Sequence, residues 1–226
     1  NNKLPFHAFS IYGYINATLI TSIQPLRWYG NFVVSEPGLM LDVANKYMGV
    51  TRLRQQRTKS GLCAVPEPLE FLNLSCWPEF ARKHTETRTF GYRWGNFSTY
   101  INYDRLKTIW KYATQGQTAT FPTFGNVSFF RSKCEKSWFL GEIAAYSGGG
   151  YVAYLGRTLY NSYVNFRQLL NKLWIDQATR VVFIEFLTYN ANCNIFSSIR
   201  LTFEQSATGF VTKRVIVSVL ISVVFC

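Results

Sequence analysis

Three consecutive glycines, Gly148–Gly150, form a run of bare backbone in a chain of 226 residues that has 15 glycines in all. The backbone amides of such a run can cradle a phosphate, and Gly148, Gly150 and Ala153 fit the G-x-G-x-x-G/A spacing of a dinucleotide-binding turn. That turn needs a helix directly after the glycines and an acidic residue about twenty positions later. Because residues 151–155 are aromatic and aliphatic, we favour the alternative, in which the glycines let the backbone pack flat against neighbouring protein.

Few groups in the chain could act in catalysis or bind a metal. The only histidines are His7 and His84, and the chain contains no HExxH, paired CxxC or G-x-S-x-G motif. Glu185 is the one charge in an apolar run, and we expect its partner to be Arg180 or an arginine on a neighbouring strand. We therefore predict no catalytic site, no metal site and no cofactor.

The chain is strongly basic, with 24 Lys and Arg against 12 Asp and Glu and a formal net charge of +12. Such a charge indicates an acidic partner, which could be an anionic glycan, a membrane, a nucleic acid or an acidic protein. The sequence shows no RNP, zinc-knuckle or helix-turn-helix signature, so we predict that the partner is not a nucleic acid. A soluble basic recognition domain for anionic glycan or nucleic acid remains the alternative function.

The densest basic segment contains Arg52, Arg54, Arg57 and Lys59 with no acidic residue between them. This pattern favours a solvated strand at the edge of a sheet, where charge discourages pairing with another chain. A dedicated anion site is the second interpretation.

Four N-x-S/T sequons and five cysteines indicate a secreted or lumenal compartment. We expect N-linked glycans at Asn16, Asn73, Asn96 and Asn126. An odd number of cysteines leaves at least one thiol free or paired with another chain.

The predicted disulfide joins Cys63 and Cys76, because these residues flank a short proline-containing segment that needs a cross-link. Cys134 and Cys226 have no assigned state. Cys193 adjoins an apolar strand, so we expect it to be buried as a small apolar residue.

Apolar periodicity predicts two helices. Near the start, Ser10 is a candidate N-cap, and the apolar residues that follow it lie on one helical face: Tyr12, Ile15, Leu19 and Ile23. After the glycines, steps of four and three residues predict a second helix with one buried stripe: Leu159, Tyr163, Phe166, Leu170 and Leu173.

Three strands follow the second helix. Residues 179–189, which include Phe183 and Phe186, are apolar on both faces and are typical of a central strand. Residues 195–204 alternate between apolar and polar, and the last strand is expected to bury its valines and isoleucine: Val215, Val217, Val219, Ile221 and Val223. The predicted fold class is α+β, an antiparallel sheet with helices packed on one side, in a single domain covering residues 1–226 with a long loop excursion over about residues 60–136.

Three blocks of this sequence resemble the extracellular domain of the polycystin family, in the same order. They are GVTRLRQQR at 49–57, YSGGGYVAYLG at 146–156 and LWIDQATRVVFIEFLTYNANCNIFSSIRLTFE at 173–204. WYGN at 28–31 and the YVAYLG that follows the glycines are closer to the polycystin-1-like and receptor-for-egg-jelly-like branch. The long basic insertion between Cys76 and Ser137 departs from the family pattern.

The resemblance implies a cation channel subunit whose extracellular domain lies between its first and second transmembrane helices, at the plasma or ciliary membrane. Such a domain serves in subunit assembly and gating. The expected partners are polycystin-2-type subunits or copies of this chain. Four domains of charge +12 around one axis would repel each other and the permeant cation. We therefore predict either that the basic residues face away from the axis or that the assembly is mixed.

The resemblance also assigns roles to residues. Trp174 and Arg180 would be structural and would join helix to sheet, and the Cys63–Cys76 loop and the aromatic insertion after it would reach a neighbouring subunit. The glycine segment would be a flat subunit interface, with its two tyrosines supplying contact area: Tyr146, Ser147, Gly148, Gly149, Gly150, Tyr151 and Val152.

Overall fold

A computed structural model describes residues 6–27, 32–34, 38–63, 65–72, 75–95, 110–113 and 139–221. An N-terminal helical segment comprises α1 (Phe6–Tyr14), a π-helical turn (Ile15–Leu19) and α2 (Ile20–Ile23), and α3 spans Leu159–Asn171. The strands are β1 (Asn45–Arg57), β2 (Tyr112–Ala113), β3 (Phe139–Leu140), β4 (Ala145–Tyr146), β5 (Gly150–Tyr154), β6 (Thr179–Asn190), β7 (Ile195–Gln205) and β8 (Val211–Ile221). Short 3-10 turns occur at Glu67–Leu72, Arg82–His84 and Tyr92–Trp94.

Six strands form an antiparallel sheet in the order β2-β5-β1-β6-β7-β8, and β3 pairs with β4 in a separate hairpin. The predicted α+β class and antiparallel sheet are confirmed. β1 is an inner strand between β5 and β6, so the expectation that the arginine strand forms a solvated edge is wrong. The central position of β6 agrees with its apolar character on both faces.

The N-terminal helical segment packs its predicted stripe inward. Tyr12, Ile15, Leu19 and Ile23 are all buried. Ser10 lies inside α1, which begins at Phe6, so its predicted role as the helix cap is wrong: the helix extends upstream of the apolar stripe.

α3 begins after Thr158, whose side chain accepts a hydrogen bond from the backbone N–H of Asn161 at 3.3 Å. Phe166 and Leu169 face the core, and the chain turns at Leu173, where φ is +51°. The helices cover one face of the sheet, here called the helix-side face, and a single apolar cluster fills the space between them. Its largest members include Tyr12, Phe166, Trp174, Ile184, Phe186 and Leu201.

The opposite face of the sheet, here called the arginine face, is covered by the β3–β4 hairpin and by the segment that contains Phe80. A second cluster of buried residues, Tyr146, Val181 and Phe183, packs there against Phe80 and Phe139. Both phenylalanines of β6 that the sequence assigned to the core, Phe183 and Phe186, are therefore buried, each on a different face.

The last strand departs from its predicted burial. Val215, Val217 and Val219 point to the helix-side face but are 62%, 55% and 56% exposed. β8 is the edge strand of the sheet, and the helices do not reach it. The side chain of Ile221, and Val223, lie outside the described residues.

The predicted disulfide between Cys63 and Cys76 is present, with 6.2 Å between the two Cα atoms. Cys193 is exposed in the turn between β6 and β7, so the expectation that it is buried is wrong, because the apolar strand ends before the turn. Asn16 is exposed on the π-helical turn. Several sequence predictions fall on residues outside the described ones: Asn73, Asn96, Asn126, Cys134, Cys226 and the segment 28–31.

Candidate functional site

The arginine strand forms a charged cluster on the arginine face. The register places Arg52 of β1 opposite Glu185 of β6, and Glu185 opposite Arg200 of β7. Arg52 Nε donates to Glu185 Oε2 at 2.7 Å, and Arg200 Nε donates to Oε1 at 2.8 Å. Arg54 Nη2 reaches Oε1 at 3.4 Å. The prediction that arginines on neighbouring strands pair with Glu185 is confirmed, and the alternative that Arg180 does so is wrong.

The electrostatics of this cluster favour an ionised carboxylate. Burial raises the pKa of Glu185, but the positive charges of Arg54, Arg52 and Arg200 outweigh it and hold this pKa at about 2. Burial lowers the pKa of Arg54, and the Glu185 carboxylate partly offsets that effect. Three guanidinium groups around one carboxylate leave the cluster net positive, and Arg200 brings part of that charge to the solvent with a side chain that is 38% exposed.

The same strand holds the glycine segment in place. Arg54 Nη1 donates to the carbonyl oxygens of Ser147 and Gly149 at 3.1 and 3.0 Å. Gln56 Nε2 donates to the same two oxygens at 2.6 and 2.7 Å. The two features that the sequence singled out separately, the basic strand and the glycines, are thus one structural unit.

The glycines permit close approach of this chain to itself. Gly150 has φ of +148°, and a Cβ atom there would lie 2.5 Å from the carbonyl oxygen of Gln55. A Cβ atom on Gly149 would lie 2.8 Å from the ring of Tyr112 and 2.9 Å from the carbonyl oxygen of Ala113. β5 follows the glycines directly, in place of the helix that a dinucleotide-binding turn requires.

The two tyrosines that flank the glycines are buried inside the domain. Tyr146 Oη donates to Glu204 Oε2 at 3.0 Å, and Tyr151 Oη donates to the carbonyl oxygen of Arg88 at 2.7 Å. Burial raises the pKa of both phenols, so they are neutral donors. The expectation that they supply area to a subunit interface is therefore wrong, because both side chains fill space beside the sheet of their own chain. An interface at the rest of the glycine segment stays a prediction.

Two further arginines attach the irregular segments to the sheet. Arg180 is buried and donates to the carbonyl oxygens of Trp77 and Pro78 at 2.6 and 3.1 Å. Arg57 binds both carboxylate oxygens of Asp176 at 2.6 and 2.8 Å and lies over the ring of Trp94, 3.7 Å from its centroid. Trp174 is buried in the apolar cluster beneath the helices, and Arg180 is buried but bonds to the irregular segment at Trp77 and Pro78 and not to a helix.

The disulfide loop, residues 63–76, projects apolar side chains into solvent. Its 3-10 turn, Glu67–Leu72, contains no buried residue, and Phe71 is 78% exposed, with Leu69 and Leu72 at 44% and 46%. Glu67 and Glu70 add negative charge to this surface. The loop was predicted to make contacts, but its exposed apolar residues were not identified, although two leucines and a phenylalanine among prolines and acidic residues indicate such a surface.

Among the described residues, no group of three or more His, Cys, Asp or Glu side chains is arranged to hold a metal ion. No helix in the described ranges is both long enough and apolar enough to span a bilayer. The described contacts attach the irregular segments and the glycine segment to the sheet.

Comparison with known proteins matches the chain to a family model described as the polycystin domain, over residues 6–220. Polycystin-2 of Danio rerio is 30% identical over 182 residues, which are 80% of this chain and 17% of that protein. Polycystin-2-like protein 1 of Homo sapiens is 32% identical over 192 residues, or 84% of this chain and 20% of that protein. Polycystin-1-like protein 3 of Mus musculus is 28% identical over 200 residues, or 88% and 8%. The chain spans about a fifth or less of the length of these relatives.

Proposed function

The chain belongs to the polycystin family, and on that premise we propose that it is the extracellular domain of a polycystin-type cation channel subunit, where it mediates subunit assembly and shapes gating. Its parent protein spans the plasma or ciliary membrane in this proposal. Its partners are polycystin-2-type subunits or further copies of this chain.

The observation that carries the assembly role is the disulfide loop. Phe71, Leu69 and Leu72 expose apolar surface on a segment closed by a disulfide and anchored beside β6 through Arg180. Apolar surface that leaves water contributes about 25 cal/mol per Å² to association, and a loop that is already ordered loses little entropy on binding. The loop therefore has the properties of a preformed contact with another subunit.

Charge favours a contact between unlike surfaces. Glu67 and Glu70 make the loop acidic, whereas the chain as a whole has a formal net charge of +12. A loop of this kind is complementary to the basic surface of a neighbouring subunit, and repeated contacts between unlike surfaces close a ring. Arg54 and Arg57 of the arginine strand are buried beside carboxylates, so neither places its guanidinium on the surface that a neighbouring subunit would meet.

The gating role rests on how the loops are attached to the sheet. Arg180 on β6 holds the segment after the disulfide, and Arg54 on β1 holds the glycine segment. β1 and β6 are adjacent at the centre of the sheet. A displacement of the disulfide loop by a neighbouring subunit would therefore be transmitted to the glycine segment through paired strands.

The assembly proposal is tested by co-expressing the full-length protein with a polycystin-2-type subunit and counting subunits in the purified complex. We expect the double substitution Phe71→Ser with Leu72→Ser to reduce the yield of assembled complex about tenfold, because it removes exposed apolar anchors. Tyr160→Ser is the matched control, since Tyr160 is 77% exposed on α3, away from the loop. Full assembly of the loop variant would contradict the proposal, as would equal losses in the control.

The extracellular location has its own test at Asn16, whose sequon residues are all exposed. We propose that Asn16 carries an N-linked glycan. When the protein is expressed in a secretory host, glycosidase treatment should lower its mass. The decrease should be smaller for the Asn16→Gln variant, which lacks one glycosylation site. An unglycosylated chain that binds heparin with steep salt dependence would instead favour the soluble recognition domain.

A further inference from the structure

One end of the domain collects exposed apolar side chains from three segments. This apolar end consists of Leu26, Phe32, Val33, Leu41 and Val43, which are 68%, 70%, 76%, 48% and 37% exposed. Backbone hydrogen bonds hold the segments together: the N–H of Val34 donates to the carbonyl of Leu26 at 3.2 Å, and the N–H of Leu41 donates to that of Ser22 at 3.0 Å.

Strand register shows which end of the sheet this is. Leu39 bridges to Lys46 at the beginning of β1, where Asn45 pairs with Asn190 at the end of β6. Asn190 in turn pairs with Ile195, and Ile195 pairs with Ile221, the last residue of β8. The apolar end therefore lies at the same end of the sheet as the last residue of β8, with β6 and β7 between them.

The described charges at this end are two basic residues and one acid. Arg27 and Lys46 are exposed, and neither forms an ion pair with another described residue. The one described acid there, Asp42, uses its carboxylate locally: Oδ1 accepts from the backbone N–H groups of Ala44 and Asn45 at 3.2 and 3.0 Å. Its other oxygen, Oδ2, accepts from the Asn45 side chain at 2.5 Å. The apolar side chains are thus flanked by cations that are free to bind phosphate.

We propose that the apolar end contacts the surface of a lipid bilayer, with Phe32 and Val33 entering the boundary between headgroups and acyl chains and Arg27 and Lys46 binding lipid phosphates. This inference rests on the proposed function, in which the parent protein spans the membrane. The exposed apolar side chains come from three separate segments, and a deformable lipid surface can accommodate all of them at once. Basic residues beside apolar ones add electrostatic attraction to the phosphate layer.

Vesicle flotation of the 226-residue chain tests the proposal. We expect binding to phosphatidylcholine vesicles and tighter binding when phosphatidylglycerol is included. Phe32→Ser with Val33→Ser should weaken binding to both compositions about tenfold, because the inserted apolar surface is lost. Arg27→Gln with Lys46→Gln should abolish the additional affinity for phosphatidylglycerol and leave the weaker binding in place.

Phe71→Ser is the matched control, because it removes an equally exposed phenylalanine, 78% against 70%, from the disulfide loop. It should bind vesicles like the unmodified chain, while thermal unfolding shows that every variant is folded. Unchanged binding of the Phe32 and Val33 variant would overturn the proposal. The proposal would also be overturned if the unmodified chain bound neither kind of vesicle. This includes the case in which Phe32→Ser with Val33→Ser abolishes self-association of the chain instead.

The two proposals can fail separately. If Phe71→Ser with Leu72→Ser loses assembly and the unmodified chain does not bind vesicles, the channel-domain proposal stands and the lipid contact is refuted. If vesicle binding depends on Phe32 and Val33, and Phe71→Ser with Leu72→Ser assembles fully, the lipid contact is supported and the disulfide loop has no role in assembly.

Discussion

The two faces of the central sheet are stabilised by different interactions. On the helix-side face, Ile184 and Leu201 lie opposite each other and pack in the apolar cluster beneath the helices. On the arginine face, their sequence neighbours Glu185 and Arg200 lie opposite each other and form an ion pair. The same two strands therefore contribute a core of apolar contacts on one side and a charged network on the other.

Because different interactions stabilise them, the two faces should respond to different perturbations. Apolar packing depends on volume and burial and tolerates conservative changes of shape. The charged network depends on one carboxylate that has three cationic neighbours, so the removal of Glu185 leaves like charges in a largely buried site. Volume changes should affect the first face most strongly, and charge changes should affect the second.

The largest expected effect is on the helix-side face. Trp174→Ala should lower the free energy of unfolding by about 4 kcal/mol, because Trp174 is fully buried and its loss leaves a large cavity. Urea unfolding with the disulfide intact measures this change. Ile184→Val, at another fully buried position, is the control, with an expected loss of about 1 kcal/mol. Equal losses in the two variants would show that packing volume does not determine the stability of this face.

Glu185→Gln should reduce stability by about 3 kcal/mol, because it leaves Arg52, Arg54 and Arg200 without a compensating charge. The shape of the side chain is almost unchanged, so the effect isolates charge. Glu142→Gln is the matched control, since Glu142 is exposed, and should change stability by less than about 0.5 kcal/mol. A neutral result for Glu185→Gln would mean that the network contributes no stability.

Acid should weaken the arginine face selectively. The folded-state pKa of Glu185, about 2, lies below its ordinary value of 4.5, so its stabilising contribution is complete above pH 4.5 and is lost as the pH falls toward 2. The stability difference between the unmodified chain and Glu185→Gln should therefore shrink by about 1.4 kcal/mol per pH unit within that window. Urea midpoints across the acidic range measure it, and two parallel curves would contradict the assignment.

A smaller effect is expected where β5 meets β1. Gly150→Ala should cost about 2 kcal/mol, because its Cβ atom would collide with the Gln55 carbonyl and its φ of +148° disfavours other residues. Gly13→Ala is the opposite-sign control: the added Cβ meets nothing within 4 Å, and alanine in a helix should stabilise by about 0.5–1 kcal/mol. Thermal unfolding ranks the two variants, and stabilisation by Gly150→Ala would refute the close-approach explanation.

Local patterns predicted much of the fold. The spacing of Phe166 and its apolar neighbours predicted α3, and the alternation of residues 195–204 predicted β7. The Cys63–Cys76 disulfide also followed from a short segment. Each of these features depends on residues that are close in sequence, where helix and strand periodicity is directly visible.

The wrong predictions for Ser10 and Cys193 misplaced the ends of local elements, whereas the others depended on neighbours distant in sequence. β1 was expected at an edge, and the valines of β8 were expected to be buried, because no pattern within a strand reveals its place in the order of the sheet. Tyr146 and Tyr151 were expected at an interface, but their hydroxyl groups bond to Glu204 and to the backbone of Arg88. Those partners lie about sixty residues away along the chain.

By itself, the sequence determined the local elements and the family. It also identified the residues that form the candidate site: the glycines, the arginine strand and Glu185. The tertiary structure alone decided how these residues meet. Arg54 reaches both Glu185 and the glycine segment only because β1 lies between β5 and β6 in one specific register. A shift of one residue in either pairing would turn these side chains to the opposite face, so strand order and register determine which charges are paired.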